Sequence, residues 1–61
     1  MFEVGRKYLF RIENSATKTG FIYYTGVISE ITHSQLKINT IKNEIVTIHE
    51  KTILGSKELE D

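Results

Sequence analysis

Few residues in this chain have the type and spacing that covalent chemistry needs. His33 and His49 are the only two histidines, and there is no Cys. Two imidazoles supply half of a tetrahedral zinc site, so the sequence predicts no metal centre, no disulfide and no cofactor. It contains no Gly-x-Ser-x-Gly elbow, no phosphate-cradling glycine loop, and no carboxylate pair at a spacing that neighbouring strands would bring together. Catalytic residues are therefore not expected. The groups left over suit binding. Arg11, Lys18, Lys37 and Lys42, with Lys7 beside them in the sequence pattern, could meet phosphate oxygens, and an outward Tyr24 could offer a stacking face to a base. The plainer reading competes directly: scattered lysines on a half-exposed sheet solvate it and protect its edges, and most aromatics of so short a chain must fill the core.

The elements that must position these side chains follow from composition. Ile, Val, Thr, Tyr and Phe make up 25 of the 61 residues, against five Ala plus Leu. Branched and aromatic side chains suit a pleated surface and lose rotamer freedom in a helix, so the chain is predicted to be all-β. Its length allows one domain. Eight basic residues balance eight acidic ones, which excludes the broad positive field of a strong, nonspecific nucleic-acid binder. Residues 56–61 carry Lys57 against Glu58, Glu60 and Asp61, and read as a short solvated acidic tail behind a domain of residues 1–55. No apolar leader and no run near the ~20 residues of a membrane span is present, so a soluble, cytoplasmic protein is expected, with no membrane partner.

Five strands can be placed. Lys7 to Glu13 puts Tyr8, Phe10 and Ile12 on one face. A polar loop, residues 14–20, leads to a long second strand from Phe21 to Ile31. Both faces of that strand are apolar, and the alternation is read with Phe21, Tyr23, Val27 and Ile31 inward and Ile22, Tyr24 and Ile28 outward. Gly26 marks where it bends. Across a loop of residues 32–35, Ile31 meets Leu36 and Glu30 meets Lys37, and unbroken pairing then sets Ser29 opposite Ile38 and Val27 opposite Thr40. A three-residue loop, Ile41-Lys42-Asn43, closes the next hairpin with Asn43 left-handed, so that Leu36 faces Ile48 and Ile38 faces Val46. A short turn returns Ile53 and Leu54 as a brief final strand ending at Gly55. The predicted core is Tyr8, Phe10, Phe21, Val27, Ile31, Leu36, Ile38, Val46, Ile48 and Ile53.

This order of strand, polar loop, bent strand, two tight hairpins, turn and last strand resembles the small barrels of the SH3-like and Sm-like superfamily. The run Gly26-Val27-Ile28-Ser29-Glu30-Ile31 is similar to the segment that bends the second strand of Sm-like proteins and to the core of KOW modules. Where Sm-like proteins place an Asp after that run and an Asn four residues later, this chain has Thr32 and Leu36, and Lys42-Asn43 stands where they carry Arg-Gly or Lys-Gly. The resemblance implies a single five-stranded, strongly bent barrel, and a binding module for RNA or DNA using Arg11, Lys18, Tyr24, Lys37 and Lys42. One feature points elsewhere. Ile28, Ile41 and Ile45, next to Asn39, all fall outward in this register, and grouped outward isoleucines suggest a protein interface or a homo-oligomer.

Overall fold

The computed structural model describes residues 1–60. Five strands, β1 (Lys7–Glu13), β2 (Phe21–Ile31), β3 (Gln35–Thr40), β4 (Ile45–His49) and β5 (Ile53–Leu59), form one antiparallel sheet in the order β4-β3-β2-β1-β5. One 3₁₀ turn, Glu50–Thr52, links β4 to β5. Its register is held by the Thr52 hydroxyl, which donates to the His49 carbonyl at 2.7 Å, and by Glu50 N–H, which donates to the Ser34 carbonyl at 2.9 Å. Among the described residues no ladder joins β4 to β5, so the sheet is open and has two free edges rather than the closed circuit of a barrel.

One face of the sheet carries the core. Tyr8, Phe10 and Ile12 of β1, Ile28 of β2, Leu36 and Ile38 of β3 and Ile48 of β4 are buried together, with Phe2, Ile22, Tyr24, Val46 and Ile53 packed against them. The chain before β1 folds over this face: Phe2 packs edge-on against Tyr8 at 5.3 Å between ring centroids and lies 5.5 Å from Phe10. Glu3 N–H donates to the Tyr8 hydroxyl at 3.0 Å, giving that buried oxygen a partner.

The β3–β4 hairpin is the one expected. Leu36 pairs with Ile48 and Ile38 with Val46, and Thr40 N–H donates to the Glu44 carbonyl at 2.8 Å across a loop of residues 41–43 in which Asn43 has φ 63. The buried Thr40 hydroxyl accepts from Lys42 N–H at 3.3 Å and Glu44 N–H at 3.2 Å, so the loop is stitched from inside. The tip of the β2–β3 hairpin is also as expected, with Ile31 opposite Leu36 and Glu30 opposite Lys37.

Below that tip the expected register fails. A bulge at Ser29 places Ile28, not Ser29, opposite Ile38, and then Val27 opposite Asn39 and Gly26 opposite Thr40. The Ser29 hydroxyl donates to the Lys37 carbonyl at 3.1 Å within the irregularity. One inserted residue turns every side chain before it to the opposite face. Ile28 is therefore fully buried where it was expected outward, whereas Phe21 is only half-buried and Val27 and Tyr23 are exposed where they were expected inward; Ile31, beyond the bulge at the strand end, is exposed as well. The β1 ladder agrees with this arrangement, pairing Phe10 with Tyr24 and Ile12 with Ile22.

Gly26 faces inward and is buried where β2 lies close against β3. A Cβ there would stand 2.5 Å from the Asn39 carbonyl oxygen and 2.9 Å from Thr40 Cα, so its role is close approach of two backbones. The bulge lies at Ser29 instead. β5 continues past Gly55: Ser56, Lys57, Glu58 and Leu59 pair with Phe10, Leu9, Tyr8 and Lys7. Residues 56–59, expected as part of a solvated tail, are strand, and Glu58 lies 3.6 Å from Arg6. Asp61, the end of that expected tail, lies outside the described residues.

Candidate functional site

The outer face of the sheet, turned away from the core, brings charged and aromatic side chains together. Alternation along β1 puts Leu9 and Arg11 there, alternation along β2 before the bulge adds Phe21, Tyr23 and Val27, and β5 adds Gly55 and Lys57 opposite Arg11 and Leu9. The Arg11 guanidinium lies 5.4 Å from the centre of the Phe21 ring, and Phe21 and Tyr23 meet almost perpendicularly at 5.4 Å. These contacts hold a cation and an aromatic ring side by side. Tyr23 is 58% exposed even so.

Four hollows among those on the described surface differ in charge. The first, at the β2–β3 hairpin, is lined by both Glu30 and Lys37, whose side chains lie 3.6 Å apart. The second, about 210 Å³ in volume, is lined by Leu9, Arg11, Tyr23, Gly55, Ser56 and Lys57. The third brings Tyr23, Tyr24, Ile41 and Lys42 together with Glu44, and the fourth, beside Phe2, Ile31 and Leu36, has Glu50. Only the second of these four places two cations on its wall with no carboxylate.

The sequence-predicted binding residues are thus divided. Arg11 lies in the β1–β2–β5 hollow. Lys18 is exposed on the loop between β1 and β2, which is closed by Asn14 N–H donating to the Gly20 carbonyl at 2.8 Å. Tyr24 does not stack outward: it lies on the core face opposite Phe10, half-buried, and its exposed counterpart is Tyr23. Lys37 faces Glu30 across the hairpin, and Lys42 sits on the β3–β4 loop in a hollow it shares with Glu44. The isoleucine group is divided too. Ile41 and Ile45 are 68% and 71% exposed and Asn39 is exposed beside them, but Ile28 is in the core.

Tyr23 and Lys57 are the residues that sequence reading missed. A signal for Lys57 was present in Leu59, an apolar residue two positions on, which alternation puts on the same face of a strand and which a solvated tail does not need. No comparable signal marked Tyr23, since either face of β2 is apolar enough to be buried. His33 is exposed on its loop, and His49 Nε2 stands 3.4 Å from Gln35 Nε2. Among the described residues no group of three or more His, Cys, Asp or Glu is placed to hold a metal ion, and no helix is long and apolar enough to cross a membrane. Comparison with family models, with curated proteins and with solved structures finds no match for this chain.

Proposed function

We propose that this chain is a non-enzymatic binding module for nucleic acid, contacted by the outer face of β5, β1 and β2. The observation that carries this reading is the second hollow: Arg11 and Lys57 with no carboxylate between them, beside an exposed Tyr23. A molecule of zero formal charge has no long-range pull on a polyanion, so binding must come from a local concentration of cations with a surface that takes a base. The other hollows with a lysine have a carboxylate in the same wall. We read the fold as an opened form of an SH3-like or Sm-like small barrel, a reading supported by the placement of β1 between β2 and β5 and by the constriction at Gly26.

Fluorescence anisotropy of a short labelled single-stranded oligonucleotide at low ionic strength tests the function. Weak, saturable binding is expected, and Arg11→Glu should abolish it without lowering the melting temperature by more than a few degrees. Absence of binding by the folded wild-type protein would overturn the reading.

A second reading is favoured by Ile41 and Ile45, exposed next to Asn39 at the β3–β4 end of the sheet. Apolar side chains so placed fit a self-association or protein-interaction surface.

A further inference from the structure

We infer that the hollow between β1, β2 and β5 is a subsite for a single unpaired nucleobase, with Gly55 as its opening. This rests on the nucleic-acid reading above and specifies which part of the ligand enters. At about 210 Å³ the hollow is smaller than the ~300 to 1,000 Å³ of sites that enclose a drug-sized molecule, so it takes no more than a small planar group laid on the sheet, and the chemistry of its walls, rather than its size, sets it apart from the other hollows. Its walls are of the corresponding kinds. Tyr23 supplies an aromatic face, Leu9 an apolar floor, and Arg11 and Lys57 donors for the phosphates on either side or for the base edge.

Gly55 keeps this space open. It pairs with Arg11 across the β1–β5 ladder, and a Cβ placed on it would stand 3.9 Å from Arg11 Nη2. That is ordinary contact, so a methyl-sized group fits, but the outer atoms of any larger side chain extend into the volume a ring would use. The β1–β5 ladder shifts register beside Gly55, between Arg11 and Ile12, and a bulge is one place where a strand uses glycine; the φ of Gly55 is nonetheless outside the left-handed region and no atom crowds its Cβ position, so the backbone there accepts a side chain. Only an unpaired base can reach the Tyr23 ring face, because in a duplex the base faces are stacked on one another. The ligand class is therefore single-stranded.

The test compares three probes by fluorescence anisotropy: a single-stranded DNA oligonucleotide, an abasic strand of the same length, and the corresponding duplex. Wild-type protein is expected to bind the base-bearing single strand about tenfold more tightly than the abasic strand. Gly55→Val and Tyr23→Ala should each bring the base-bearing strand down to the abasic level and leave abasic binding unchanged. Gly55→Val should do so with a melting temperature within a few degrees of the wild type, which separates a filled hollow from a damaged fold. Equal wild-type affinities for base-bearing and abasic strands, a preference for the duplex, or a folded Gly55→Val protein that keeps the tenfold preference would each overturn the base subsite while nucleic-acid binding stands. If none of the three probes binds, the functional reading fails, and the subsite with it.

Discussion

Gly26 is where β2 and β3 approach so closely that a Cβ would press on the Asn39 carbonyl oxygen at 2.5 Å. The obstacle is the β3 backbone at Asn39 and Thr40, which cannot rotate away. Gly26→Val should therefore destabilise the fold by about 3 kcal/mol or more, the upper end of overpacking costs, because the sheet itself must open. A thermal midpoint equal to that of the wild type would show that the constriction is absent. Gly55, by contrast, has room beside it, and its substitution is expected to affect ligand rather than fold. Tyr23 replaces Tyr24 as the exposed ring, and the two differ by one position on a strand whose every position changes face.

The hairpins and the last strand set the second scale. Asn43 holds a left-handed backbone at φ 63 in the three-residue loop before β4. Asn43→Gly should be close to neutral, whereas Asn43→Val should cost about 1 to 2 kcal/mol, the difference between residues that do and do not tolerate that conformation. Urea denaturation of the two variants reads this contrast, and equal midpoints would remove it. β5 makes a larger claim. Its residues 56–59 complete the ladder along β1, so a chain ending at Gly55 loses the partner of Lys7 through Phe10. That truncation should unfold the protein or lower its melting temperature sharply by circular dichroism, while a solvated tail could be removed without effect. The Lys37–Glu30 pair, both side chains about half exposed, contributes little to stability at such a site.

Taken as one body, the molecule has zero formal charge, a hollow on its outer face lined by Arg11 and Lys57, and exposed isoleucines at the β3–β4 end of the sheet. If Arg11 and Lys57 each displace one counterion from a single strand, the logarithm of affinity should fall with the logarithm of salt at a slope of about −1.4. Arg11→Gln should reduce that slope by somewhat less than one, and the double substitution of Lys37 and Lys42 by Gln should change it little, since those two lysines have carboxylates near them. A slope set by Lys37 and Lys42 would move the interface to β3. Assembly is checked by light scattering across a range of concentrations. Under the second reading the wild-type mass exceeds that of one chain, and Ile45→Asp restores the monomer because it would bury a charge without a partner. A monomeric wild-type protein at all concentrations removes that reading.

How much of this was legible in the sequence varies by residue. The strands β1 and β2 were readable with their limits, and so was the whole β3–β4 hairpin, because Leu36, Ile38, Val46 and Ile48 alternate with polar residues and Asn43 has a specific turn chemistry. β5 was readable only in its first two residues, since its later half is polar and gains its order from pairing with β1, a partner more than forty positions earlier. Alternation leaves β2 undetermined: Phe21, Tyr23 and Val27 are as apolar as Ile22, Tyr24 and Ile28, so burying either set is favourable to a similar degree. The sequence by itself determined the class, the number of strands and the absence of a covalent staple, all of which follow from residue type and local pattern. Which side of β2 is buried, and hence that Tyr23 and not Tyr24 stands beside Arg11 and Lys57, was decided by tertiary structure. The bulge at Ser29 lies in the pairing of β2 with β3, and the register of β1 on β2 buries the same face, whereas a one-residue shift in pairing leaves no mark on composition or periodicity.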